Sequence, residues 1–191
     1  MIQPAKCSPI GLAAAGLASA LISMPFMRYE LILHGAIFGS VLALYFALFE
    51  GVRSPVKLIA FPMVCSVAYP LAILAVAFSH LGSSAQSVDF TLGQYLVGGG
   101  VGAFIVLLAG MLLFGPAEMR GDGLGLAFFG GLGGGILSLL GGELDRAVGL
   151  QTAGDIGVSV FFVWQSGVAL ILGVLLRWGQ KRYLSSQTPM Q

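Results

Sequence analysis

Six apolar stretches of membrane-spanning length follow one another along this chain, and nearly all of its charges fall between them. They cover residues 7–27, 31–49, 58–79, 90–117, 123–142 and 156–176. A helix needs about 20 mainly apolar residues to cross the hydrocarbon of a bilayer. Lipid offers no hydrogen-bonding partner to a peptide group, so a spanning segment must satisfy its backbone internally, as a helix does. The pattern therefore predicts an all-α, polytopic transmembrane bundle of six spans.

Composition excludes the alternatives. Only 9% of the residues are charged and 57% are hydrophobic, against about 25% charged in an ordinary soluble domain. So few charges could not cover a water-facing surface, and the loops leave no room for a soluble domain. Residues 1–191 read as one integral membrane domain whose partners are the lipid bilayer and further copies of itself or other membrane subunits. A net charge of +1 with no basic run points away from nucleic acid. Two cysteines, Cys7 and Cys65, lie too far apart in sequence and context to suggest a disulfide framework. The spans contain no His-x-x-x-His pair, no paired carboxylates and no nucleophile with a base. Metal, cofactor and intramembrane hydrolase chemistry are accordingly not expected.

The first span admits two readings. Lys6, the apolar run 9–17 and Ala18-Ser19-Ala20 resemble a signal peptide with a small-residue cleavage site. The run continues to Met27 without a polar break, which favours a retained first helix. With both termini cytoplasmic, the inner face carries Lys6, Arg53, Lys57, Arg120, Arg177, Lys181 and Arg182. Only Arg28 and Arg146 remain outside, a seven-to-two division of the nine basic residues. The positive-inside rule selects that orientation, in a plasma membrane or a bacterial-type inner membrane.

A possible internal repeat appears on either side of the Ser- and Gly-containing segment 80–94. Pro25, Met27-Arg28 and Glu30 follow the first span; Pro116, Met119-Arg120 and Asp122 follow the fourth. Glu50-x-x-Arg53 follows the second span and Glu143-x-x-Arg146 the fifth. An odd number of spans per unit would insert units 7–79 and 94–176 with opposite topology, as in many secondary transporters. On that pattern Arg28 with Glu30 and Arg146 with Glu143 are candidate gate charges on the outer side. Arg53 with Glu50 and Arg120 with Asp122 are the candidates on the inner side.

Glycine supplies 29 residues, concentrated at 98–102 and 130–135. Four-residue spacings such as Gly35/Gly39 and Gly131/Gly135 suit close helix packing. Local unwinding of the fourth and fifth spans would instead expose backbone at Gly100 and Gly134 to a solute. Pro62 and Pro70 should kink the third span or open its hydrogen-bond ladder. Few polar side chains lie in the spans. Gln165, beside Trp164, is the clearest polar residue within a span; it suits a hydrogen bond to a neighbouring helix, and with Trp164 it is the alternative pathway or pocket candidate. His34, one turn from Glu30, reads as an interfacial pair or a proton-sensitive gate. Passage of a small uncharged or weakly polar solute, as a facilitator or channel, is the leading expectation. A non-catalytic accessory or scaffold subunit of a larger membrane complex is the alternative. An interfacial enzyme using Arg28 and Glu30, or Glu143, Asp145 and Arg146, has the weakest chemical basis.

Orientation is testable directly. Single cysteines near Lys57 and Lys181 should react only from the cytoplasmic side, and cysteines near Asp89 and Asp155 only from outside. Labelling at position 181 from the outside would reverse the orientation.

Overall fold

The structure is a computed structural model and describes residues 8–26, 31–79, 92–117, 119–149 and 157–186. Among these there are six α-helices and no strand. They are α1 (Pro9–Ser23, continued by a 3-10 turn Met24–Phe26), α2 (Leu31–Phe49) and α3 (Pro55–Ser79). The second half of the chain adds α4 (Leu92–Phe114), α5 (Met119–Ala147) and α6 (Val158–Ser186). Each of the six, α1 with its 3-10 turn included, is long and apolar enough to cross a membrane.

The ends follow local chemistry. Ser8 caps α1: its Oγ accepts from the Gly11 amide at 3.2 Å, and Pro9 occupies the first turn, where a missing N–H costs nothing. Past α2, Gly51 takes φ +67°, and the Val52 amide returns to the Phe46 carbonyl at 3.1 Å. That left-handed closure is one glycine adopts without a Cβ penalty. Three helices exceed their apolar stretches. At 29 residues, α5 is about 43 Å long and holds Arg120, Asp122, Glu143, Asp145 and Arg146, which the sequence pattern assigned to loops. α6 has the same length and runs on through Trp178 to Ser186, and α3 begins at Pro55, ahead of Lys57. Charges at the ends of a long helix reach the interface without ending it, so hydropathy alone shortened these elements.

The helices form a ring in chain order, each packing on the next, and α1 closes it against α6. α1 packs more extensively on α6 than on α2, and α4 also reaches α6 across the ring. Small residues set the tightest seams. A Cβ added at Gly39 of α2 would stand 2.5 Å from Pro62 Cα of α3. Between α4 and α5, a Cβ at Gly135 would stand 2.6 Å from the Leu96 carbonyl oxygen, and one at Gly134 would collide with Ala103 Cβ. Backbones this close leave no room for side chains. Both helices run unbroken through their glycine clusters, as close packing requires, and the alternative of local unwinding at Gly100 and Gly134 does not occur. α3 likewise continues as helix through Pro62 and Pro70.

Along the bundle the interior divides into two halves. Toward the beginning of α1, α3 and α5 it is filled by apolar side chains. Phe46, Phe61 and Phe114 form the centre of this half, with Phe46 stacked on Phe114 at 4.1 Å between ring centroids. Toward the opposite end it is polar and aromatic, holding Ser19, Ser23, His34, Tyr69, Asp145 and Gln165 among the buried residues. Outside, Leu124, Phe128, Leu132, Ile136, Leu140 and Leu144 form one exposed row on α5. Their four-residue spacing makes them a ridge that winds gradually around α5, and lipid is the solvent such an apolar ridge fits.

Replacing Gly135 by Leu should lower bundle stability by about 1–3 kcal/mol through overpacking against Leu96. Thermal unfolding in detergent measures it. Unchanged stability would mean that α4 and α5 do not approach as described.

Candidate functional site

Gln165 is the centre of the polar half. It is the eighth residue of α6, with 0% of its surface exposed. Its Oε1 accepts from Ser19 Oγ of α1 at 2.7 Å, and its Nε2 donates to the Tyr69 hydroxyl of α3 at 2.8 Å. Both ends of the amide are thus used, and three helices meet at one side chain. The contact depends on α1 approaching closely: Gly16, one turn before Ser19, would place a Cβ 2.5 Å from the Gln165 carbonyl oxygen.

Aromatic rings surround this node. His34 is fully buried, with its ring centroid 5.0 Å from that of Phe161 and 6.4 Å from that of Tyr69. Four residues into α2, His34 faces the bundle interior; Glu30, with which the sequence pairs it, lies outside the described residues. Trp164, next to Gln165, turns to another face of α6. Its indole N–H donates to the Gly99 carbonyl at 3.0 Å, and its ring lies 5.3 Å from that of Tyr69.

Beside Trp164 lies a cavity of about 90 Å³, open on one side. α3 contributes Tyr69, Ala72 and Val76 to its wall, and α4 contributes Gln94, Tyr95 and the backbone of Gly98, Gly99 and Gly102. Ser138 of α5 and Phe161 and Trp164 of α6 complete its inner side. Among the described residues, no charged side chain lines it. Its glycine borders are close to their neighbours: a Cβ on Gly102 would stand 3.1 Å from the Trp164 ring, and one on Gly98 only 2.8 Å from Val76 Cγ2.

The pathway candidates are therefore distributed unevenly. Trp164 borders the cavity. Gln165 and His34 lie in the adjacent packed interior, and Gly100 and Gly134 in the α4–α5 seam. Ser19 went unnoticed in the sequence because it sits within a run resembling a cleavage motif. The signal was present, since Leu12, Gly16, Ser19 and Ser23 are spaced to share one helix face and are all buried.

Among the described gate-charge candidates, Glu143 and Arg146 pair, one turn apart on α5. Asp122 accepts from Arg182 of α6 at 3.1 Å, and Arg182 also lies 4.0 Å above the Trp178 ring. Glu50, expected to meet Arg53, accepts from the backbone amide of Ser8 at 3.3 Å. Burial pushes the Glu50 pKa up, opposed by hydrogen bonds from Ser8 and Tyr45. Arg53 is exposed. Arg28 and Glu30 lie outside the described residues, as does the side chain of Arg120.

Asp145 has a distinct structural role. Fully buried at the end of α5, it accepts from the Ser159 amide at 2.9 Å and the Val160 amide at 3.3 Å. These are first-turn amides of α6, otherwise without a helical acceptor, and a carboxylate there also meets the positive end of the helix dipole. No cluster of metal-ligating side chains occurs among the described residues. Compared with known proteins, the chain matches no family model, no curated protein and no solved structure.

Gln165→Leu should destabilise the protein by about 1–3 kcal/mol, because the Ser19 and Tyr69 hydroxyls would lose a buried partner. Unfolding in detergent provides the measurement. A variant as stable as the parent would show that the amide bonds add nothing net to the bundle.

Proposed function

We propose that this protein is a membrane facilitator for a small uncharged solute, which it admits to the interior from one face at a time. The observation that carries this reading is the open, uncharged cavity at Trp164, set inside a six-helix ring whose other half is filled. A passage for ions would need charge or backbone dipoles to replace hydration, and the described lining residues offer no charged group. The cluster Phe46–Phe61–Phe114 acts as the closed end in this conformation. Transfer then requires that cluster to part while the cavity mouth narrows.

An inverted pair of three-helix units, 7–79 and 94–176, would give such a motion a simple geometry. The ring order suits it, because turning α1–α3 onto α4–α6 carries the α3–α4 contact onto α6–α1. The motifs that suggested it differ locally: Glu50 and Arg53 follow the end of α2, whereas Glu143 and Arg146 are both helical. Residual likeness is thus carried by helix order more than by the charged motifs. The accessory-subunit alternative draws on the exposed row on α5, which a neighbouring subunit could cover as readily as lipid.

Reconstituted vesicles should show solute flux above protein-free vesicles when small uncharged molecules are offered. Filling the cavity by Ala72→Leu should reduce that flux by about tenfold or more, on the scale at which one methylene alters a close-fitting apolar site. Flux equal to that of empty vesicles for every uncharged solute would favour the accessory role.

A further inference from the structure

The Trp164 cavity has a size and lining that select among uncharged molecules. Its volume, about 90 Å³, is below the roughly 150 Å³ of an engineered apolar cavity that binds benzene. A single ring therefore fits only by using the open side. Four aromatic side chains, Tyr69, Tyr95, Phe161 and Trp164, contribute to the wall. Such rings pack edge-to-face or offset against another ring. Ser138 and Gln94 add a hydroxyl and an amide to a lining that is otherwise almost wholly apolar.

We propose that the cavity binds a free, uncharged molecule about one aromatic ring in size, carrying one or two hydrogen-bonding atoms that meet Ser138 and Gln94. A charged ligand would lose its hydration with no opposite charge to receive it. A strongly polar molecule such as glycerol would bring more hydrogen-bonding groups than the wall can satisfy. An extended lipid tail would overrun the space and has nothing for the hydroxyl or amide to recognise. Gly98 and Gly102 of α4 and Ala72 and Val76 of α3 bound the space and set the limit on size. The inference uses the same cavity as the facilitator reading but does not depend on movement across the bilayer. Binding without flux would overturn the facilitator alone.

The test uses fluorescence of Trp164. The chain has two tryptophans, so Trp178→Phe leaves Trp164 as the only reporter. Benzyl alcohol, added to the full-length protein in detergent, should change Trp164 emission saturably; glycerol and urea should not. In the same background Ala72→Leu should abolish the response. Val76→Ala, which widens the cavity, should favour the bulkier 4-tert-butylbenzyl alcohol over benzyl alcohol by about tenfold relative to the parent. That gain distinguishes ligand fit from misfolding. A response that never saturates, or that persists unchanged in Ala72→Leu and Val76→Ala, would overturn the site. Quenching of Trp164 by phospholipids brominated on their tails, with no saturable response to benzyl alcohol, would overturn it as well and make the cavity a lipid-tail slot.

Discussion

One amide joins three of the six helices. Gln165 receives a hydrogen bond from Ser19 of α1 and donates one to Tyr69 of α3, while its backbone belongs to α6. In lipid a buried polar group has no water to fall back on, so its partners must come from neighbouring helices. The consequence reaches beyond those two bonds. With Gln165 fixed toward α1 and α3, Trp164 turns toward α4, where its indole N–H finds Gly99. The cavity lies beside that contact.

Glycine sets the remaining geometry in two places. At the α4–α5 seam Gly134 and Gly135 allow backbone-to-side-chain and backbone-to-backbone contact, and the space is fully used. Gly98 and Gly102 border the cavity, yet they too lie close to their neighbours: an added Cβ would meet Val76 Cγ2 at 2.8 Å and the Trp164 ring at 3.1 Å. A polar node, a cavity at one end and an aromatic-filled opposite half form the asymmetry on which the proposed facilitator role rests.

The six spans were legible because desolvation of the backbone allows few alternatives to helix in lipid. Helix ends were less legible: Asp145 and Arg146 read as loop residues because charge marks the end of an apolar run, not the end of a helix. Asp145 shows the difference most clearly, being helical, buried and bonded to the start of α6. Gln165 stood out as a polar residue within a span, but its partners could not be read without knowing that α1 packs on α6. Charge pairing was the least legible. Arg182 reaches Asp122 across 60 positions of sequence, a contact that no local motif encodes. Nor could periodicity show which glycines border the cavity and which close the α4–α5 seam, since both carry the same spacing.

The most direct test of this two-halved interior is side-specific cysteine labelling in a background lacking Cys7 and Cys65. Cysteines at Val76, in the cavity, and at Met111, in the filled half, should be treated with a membrane-impermeant thiol reagent from each side in turn. Position 76 should react from the outer side alone, and position 111 from neither side in the conformation described. Reaction at position 111 with position 76 protected, or reaction of both from the same side, would contradict an interior hollow at one end and closed at the other.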